Sequence, residues 1–213
     1  MEDKYFCEYS AAEEIFNSLT HGIGTLLSIA GFVILVVYSS IYGNAWHIAS
    51  CSVFGASLIF LYLNSTLYHS FTNLKTKYFF KKMDHSAIYI LIAGTYTPFS
   101  LVIIKGMTGW ILFGVVWTMA IIGIILKFTC LSKISKISSA IYLIMGWVCI
   151  FAMNKIIAVL STEALVYLVL GGVLYTAGVV FFAWDRLKFN HGIWHLFVLM
   201  GSTFHFFAIL KGL

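Results

Sequence analysis

The stretch NHGIWHLFVLMGSTFHFFAIL, residues 190–210, decides the fold class of this chain. It is long and apolar enough to cross a bilayer, which takes about 20 mostly apolar residues. Near its start it nevertheless carries two histidines, His191 and His195. An ionisable pair inside a membrane span is costly and indicates a function. On a helix, the i, i+4 spacing places both imidazoles on one face, one turn apart.

The composition of the whole chain is that of an integral membrane protein. Of its 213 residues, 61% are hydrophobic and 10% are charged, against roughly 45–50% and about 25% in soluble domains. Long apolar runs with a single proline favour helices over a β-barrel. We attribute the net charge of +5 to loops that face an anionic leaflet, and not to nucleic-acid binding. The four cysteines form no CxxC pair, so no thiolate metal site is predicted.

Seven apolar stretches predict an all-α, polytopic membrane protein, a seven-transmembrane helix bundle. The predicted spans are residues 21–42, 46–71, 83–104, 109–127, 138–154, 163–183 and 190–210. Their connections are short, so we expect one domain over residues 1–213. Residues 1–20 are acidic and lack an apolar core, and we expect a cytoplasmic amphipathic segment there, not a signal peptide.

The basic residues predict the orientation of the bundle. Ten lie in the N-terminal tail and in the connections after spans 2, 4 and 6, and three lie on the opposite side, at Lys105, Lys155 and Lys211. The positive-inside rule therefore places the N-terminus in the cytoplasm and the C-terminus outside. We expect the protein in the cell membrane.

With this topology, polar side chains from three spans converge near the cytoplasmic face. Span 2 ends with Ser65 and His69, span 3 begins with Asp84, and span 7 begins with His191 and His195. Three neutral imidazoles with one open position are the ligand set of catalytic zinc, which lowers the pKa of bound water to about 7. Asp84 would orient that water or act as general base. Ser65, one turn before His69, could hydrogen-bond the water or a substrate carbonyl.

Structural roles are the alternative for several of these residues. A histidine at the end of a span is commonly an interfacial anchor, and we assign His47 and His85 to that class. Asp84 could simply cap the start of span 3. His205 faces the same interior as His191 but lies roughly 15 Å deeper than His195 at about 1.5 Å per residue. We therefore expect His205 to line a cavity or to hydrogen-bond across helices, and not to bind the same ion.

Two further features are less specific. Glu14, Asn17 and His21 share one face of a helix that leads into span 1, which could lie against the bundle near the site. Pro98, inside span 3, is expected to kink that span and could open an internal cavity.

Four stretches resemble the bacterial hemolysin III family, a branch of the progestin and adiponectin receptor family. They are EEIFNSLTHGIG at 13–24, STLYH at 65–69, MDHSAIYILIAGTYTPF at 83–99 and HGIWHLFVLMGSTFHFF at 191–207. The resemblance covers essentially the whole chain. It implies a seven-helix bundle with zinc held by His69, His191 and His195, with Asp84 and Ser65 beside the metal.

The resemblance also implies an activity, the hydrolysis of ceramide-like lipid amides. We therefore predict a zinc-dependent hydrolase that cleaves an amide or ester bond of a membrane lipid. Two alternatives stay open: a membrane-permeabilising hemolysin or channel, and a zinc-stabilised receptor-like protein without catalysis. No row of polar residues at pore-lining spacing runs through a span, which argues against the channel. The short connections argue against hormone reception.

Overall fold

The computed structural model describes residues 9–213, and for residues 130–137 it describes the backbone alone. Within this part of the chain the α-helices are α1 (Ala11–Tyr42), α2 (Ala45–Ser70), α3 (Leu74–Pro98), α4 (Gly106–Gly146), α5 (Met153–Val159), α6 (Thr162–Phe182) and α7 (Asn190–Gly212). A π-helical turn (Phe99–Ile104) follows α3, and a 3₁₀ segment (Trp147–Ala152) follows α4.

Seven helical segments among the described residues are long and apolar enough to span a membrane. We number them spans 1 to 7: Ala11–Tyr42, Ala45–Ser70, Leu74–Ile104, Gly106–Thr129, Ser138–Val159, Thr162–Phe182 and Asn190–Gly212. The predicted all-α, seven-span bundle is confirmed. The cytoplasmic position of the N-terminus stays a prediction.

Span 1 begins earlier than its apolar pattern predicts. Ser10 caps α1, because its hydroxyl accepts from the Glu13 N–H at 3.3 Å while the Glu13 carboxylate accepts from the Ser10 N–H at 2.9 Å. The helix then runs without a break to Tyr42. The described part of the predicted N-terminal segment is therefore a direct extension of span 1, while residues 1–8 of that segment lie outside the described residues.

Span 3 also begins earlier, and this changes the position of Asp84. Asn73 caps α3 by accepting from the Thr76 N–H at 3.1 Å, so residues 74–82, predicted as a connection, are helical. Asp84 then lies in the third turn and is buried at 6% exposure. A carboxylate so far from the helix start cannot cap the first turn, which excludes the capping alternative.

Pro98 ends α3, as the predicted kink suggests, and the chain continues as a π-helical turn. There the Lys105 N–H donates to the Ser100 carbonyl at 3.0 Å, five residues back. Lys105 and Gly106 follow with positive φ, 56° and 60°, and reverse the chain direction into α4.

Spans 4 and 5 run in opposite directions along the same face of α3. An added Cβ at Gly123 would lie 2.4 Å from the Tyr89 ring, so span 4 approaches that ring closely. The Tyr142 ring of span 5 lies 4.6 Å from the same Tyr89 ring, and further along α3 the Tyr96 hydroxyl donates to the Gly146 carbonyl at 2.6 Å. The chain therefore reverses between Gly123 and Tyr142 although its backbone stays helical.

Shared hydroxyl contacts join spans 2, 6 and 7. The Tyr62 hydroxyl of α2 donates to the Ser202 hydroxyl of α7 at 2.7 Å, and the Tyr175 hydroxyl of α6 lies 2.6 Å from the same oxygen. Each polar group is thereby paired away from lipid. Beside these contacts lies a cavity of about 200 Å³, lined mainly by residues of spans 3, 5, 6 and 7.

Candidate metal centre

Three buried imidazoles from two helices meet at one end of the bundle. His69 lies in the last turn of α2, and His191 and His195 lie in the first two turns of α7. One ring nitrogen from each lies within 4.8 Å of the other two. The Nε2 atoms of His69 and His191 are 3.2 Å apart. The group predicted from sequence is therefore assembled in the fold, and it could hold a metal ion.

The first turns of α1 orient two of these rings. The His69 Nδ1–H donates to the Glu14 carboxylate at 2.6 Å, and the Lys77 ammonium donates to its other oxygen at 2.7 Å. The His195 Nδ1–H donates to the Asn17 carbonyl at 3.2 Å. Carboxylate and carbonyl oxygens accept only, so Nδ1 carries the proton in each neutral ring and Nε2 keeps its lone pair.

The nitrogens that stay unprotonated in these rings fit a bound metal ion. In His69 and His195 the Nε2 lone pair is therefore the one left for a cation, and the third ring, His191, brings its own Nε2 to 3.2 Å from the His69 Nε2. The His191 Nδ1 is buried and has no hydrogen-bond partner among the described residues. A cation between the rings would satisfy the converging lone pairs, and a carboxylate or carbonyl behind the ring is the usual outer partner of a metal-binding histidine. The donor set fits a metal with imidazole preference.

The start of α7 is held by α1 as well. Phe189 adopts φ 59°, an uncommon conformation for a bulky side chain. Its N–H donates to the Glu13 carboxylate at 3.0 Å, and its ring packs edge-on against Phe16 at 5.6 Å. These contacts fix where the helix that carries His191 and His195 begins.

Ser65 and Asp84 lie beside the three histidines. The Asp84 carboxylate is in electrostatic contact with His69 and faces the Ser65 side chain. The Ser65 hydroxyl is fully buried and makes no hydrogen bond to any described residue. Asp84 is not one of the three clustered ligands. Both groups are placed where they could contact a water molecule or a substrate at the centre.

The face of α1 that carries Glu14, Asn17 and His21 makes more contacts with the clustered histidines than the sequence predicts. Glu14 and Asn17 contact the histidines directly, and His21 stacks on His195 with ring centroids 3.5 Å apart and planes at 12°. The i, i+3, i+7 pattern located this face near the site, but nothing local to the sequence gives its register against α2 and α7. Thr20, whose hydroxyl lies 3.2 Å from the His195 Nδ1, carried no signal at all.

The remaining histidines separate into different roles. His205 lies within hydrogen-bond distance of the Leu168 carbonyl of α6, at 3.2 Å, so the expected contact across helices is present. His47 completes the cap of α2 with Asn44. His85 was predicted to be an interfacial anchor, but it lines the cavity and lies 3.3 Å from the Lys127 ammonium. The prediction for His85 is wrong because α3 begins earlier and places the side chain inside the bundle.

The cavity extends from the metal centre along the bundle axis. His191, His195 and Asp84 line one end, and His205 lines its wall further along α7. Between them the lining is mostly aliphatic and aromatic, with Leu91, Ile92, Leu168, Val169 and Val198 among its residues. The arrangement joins a polar centre to an apolar chamber.

Comparison with known proteins identifies the relatives of this chain. A profile of the family described as Haemolysin-III related matches residues 9–206. The chain is 47% identical over 202 residues to the Hemolysin-3 homolog of Bacillus subtilis (strain 168), covering 95% of each protein. It is 47% identical over 198 residues to Hemolysin-3 of Bacillus cereus, covering 93% of this chain and 90% of that protein.

A human protein is a more distant relative. The monocyte to macrophage differentiation factor of Homo sapiens is 30% identical over 208 residues, covering 93% of this chain and 84% of that protein. This similarity supports the link to the progestin and adiponectin receptor family. With the profile match over nearly all of the described residues, these similarities show that the chain belongs to the Haemolysin-III related family.

Proposed function

We propose that this protein is a zinc-dependent hydrolase that cleaves an amide or ester bond of a membrane lipid. The observation that carries the proposal is the position of the three-histidine centre at one end of an apolar cavity within the bundle. Three imidazoles with an open position suit zinc, and the apolar chamber suits a lipid chain. A buried carboxylate, Asp84, lies beside the centre and is not one of the three clustered ligands.

The residues of the chain divide the chemistry between them. When bound, zinc would polarise the scissile carbonyl and lower the pKa of water, so that the nucleophilic hydroxide is available at neutral pH. Asp84 accepts the proton of the attacking water and returns it to the leaving group, as a general base and then a general acid. Ser65, with its unpaired buried hydroxyl, donates a hydrogen bond to the substrate carbonyl or to the water.

The outer residues keep the site in its working geometry. Glu14 and the Asn17 carbonyl hold the rings of His69 and His195 with Nε2 toward the centre. The apolar cavity wall excludes bulk water from the acyl chain, and substrate reaches it laterally from the bilayer. We place the site near the cytoplasmic face of the cell membrane, on the positive-inside argument.

The experiment is a turnover assay with the purified full-length protein in detergent, using a fluorescent ceramide and a matched fluorescent diacylglycerol. Wild type is expected to release fatty acid from one of the two, and His191→Ala is expected to abolish release. His47→Gln is the control, because that histidine caps α2 outside the centre. Equal release by wild type and His191→Ala would contradict the proposal.

Membrane permeabilisation is the second candidate, because a relative from Bacillus cereus bears the name Hemolysin-3. Dye leakage from liposomes separates the two. Leakage that survives replacement of all three clustered histidines by alanine, with no lipid turnover in wild type, would favour permeabilisation. A non-catalytic metal protein would instead bind zinc and show neither activity.

A further inference from the structure

A lysine lies buried in the wall of the cavity, close to the metal centre but not part of it. Lys127 of span 4 has 0% of its surface exposed and lines the same cavity as Asp84 and His85. A lysine near the end of a span commonly extends toward the interface, where its ammonium stays hydrated. Lys127 does not, so its charge lies in an environment where an unpaired ion is costly.

The partners of Lys127 leave its ammonium only partly satisfied. An ammonium has three N–H donors. One lies 3.3 Å from the Nδ1 of His85, a neutral acceptor, and the Tyr142 ring centroid lies 5.9 Å from Nζ. Among the described residues no carboxylate oxygen lies within 4.0 Å of this ammonium. The cation therefore retains donors and lacks a contacting anion.

Asp84 is near but separated from it. The charges of Asp84 and Lys127 act on each other, as do those of Asp84 and His69. The carboxylate is thus close enough to both His69 and Lys127 for their charges to act on it, without forming an ion pair with the lysine. The Tyr142 hydroxyl donates to the His85 carbonyl at 2.9 Å and holds the backbone of this part of the wall.

We propose that Lys127 and His85 form an anion-binding subsite for the headgroup of a lipid, beside the place where its amide or ester bond is cut. The anion is a phosphate or a carboxylate, since an ammonium binds either through charge-assisted hydrogen bonds. The acyl chain then occupies the apolar part of the cavity. The inference rests on the proposed function for the position of the bond, and it predicts that lipids with an anionic group close to that bond bind more tightly than neutral lipids with the same chains.

The subsite is tested by binding, which needs no turnover. The full-length protein in detergent is titrated with dioctanoyl phosphatidic acid and with dioctanoylglycerol, which has the same chains without the phosphate. Fluorescence of Trp147 and Trp194 reports occupancy, because both line the cavity. Wild type is expected to bind the phosphate-bearing lipid roughly tenfold tighter or more, the ratio that a hydrogen bond to a charged group gives.

Three variants test whether the Lys127 ammonium causes the preference for the phosphate-bearing lipid. Lys127→Met keeps the length of the side chain without the charge, and its preference for the phosphate-bearing lipid is expected to fall to about onefold, with dioctanoylglycerol binding unchanged. Lys127→Arg keeps a positive charge and is expected to keep the preference. Lys155→Met is the control, because Lys155 is exposed and its Nζ contacts Thr108 instead.

A second pair of probes, decanoate and decanol, separates the two sources of the anion. Preference for decanoate alone assigns the subsite to a carboxylate, and preference for phosphatidic acid alone assigns it to a phosphate headgroup. Equal binding of charged and neutral probes by wild type, or a preference that survives in Lys127→Met, would overturn the subsite. Because binding is measured without turnover, a wild type that prefers phosphatidic acid but hydrolyses no lipid contradicts the hydrolase proposal alone, whereas turnover without the preference contradicts the subsite alone.

Discussion

The two sides of the bundle differ in how tightly they are packed and in what they hold. Where spans 1, 2, 3 and 7 meet, many polar side chains are buried, and 72% of the apolar window of span 3 is buried. On the side of spans 5 and 6 the corresponding shares are 17% and 11%, and the cavity lies there. The difference indicates that one side holds the chemical groups of the metal centre between packed helices, while the other leaves room for a flexible chain.

The largest effect is expected on the polar side, from the carboxylate beside the histidines. Asp84→Asn is expected to lower lipid turnover by about 100-fold or more, the contribution typical of a general base. Zinc content should stay at the wild-type level, because Asp84 is not one of the clustered ligands. Turnover and zinc content are measured on the same preparation. Loss of zinc together with activity would mean that Asp84 holds the metal.

The outer shell of the same side is expected to give the next effect. Glu14→Gln removes the charged acceptor behind His69 and should weaken zinc binding by about 10- to 100-fold. Competition with a chelator of known affinity measures it. Glu163→Gln is the control, since that exposed carboxylate pairs with Lys211 and contacts none of the clustered histidines. Equal zinc affinities of the two variants would show that Glu14 does not strengthen zinc binding through His69.

A substitution on the cavity side is expected to change which substrate chain lengths are turned over. An added Cβ at Gly172 meets nothing within 4 Å, and this glycine lines the cavity. Gly172→Leu should fill part of the chamber and lower turnover of a long-chain lipid by about tenfold, the effect of a few methylene groups in an apolar pocket. Zinc content and turnover of a short-chain substrate should not change. A uniform loss for all chain lengths would show that the chamber does not hold the chain.

The smallest effect is expected from the hydroxyl contacts that hold the polar side together. Tyr62→Phe removes the hydrogen bond to Ser202 and should lower the free energy of unfolding by about 1 kcal/mol. Tyr42→Phe is the control, because that ring is 73% exposed at the end of α1. Thermal unfolding in detergent measures both. A larger loss in Tyr42→Phe would reverse the assignment of the tightly packed side.

The sequence predicted those features that depend on local spacing. Apolar length predicted the seven spans, and the i, i+4 spacing of His191 and His195 predicted their shared face. Their meeting with His69 followed from counting which span ends lie at one depth, so the group was predictable before any contact was known.

The remaining features depend on register between helices that are distant in sequence. Glu14 contacts His69 only because α1 continues unbroken past its apolar stretch, which hydropathy does not reveal. The early start of α3 was missed for the same reason, because its first turns carry lysines and hydropathy predicts a connection there. Lys127 is buried through the return of span 5 along α3, a tertiary contact with no local pattern.

The metal content of the purified protein shows whether the three clustered histidines bind an ion. The chain is purified without chelator, and elemental analysis compares wild type with His195→Ala, with His205→Ala as the control at a partly buried histidine outside the clustered group. We expect about one zinc per chain in wild type and in His205→Ala, and none in His195→Ala. Wild-type protein without stoichiometric metal, or His195→Ala with a full complement, would contradict this expectation.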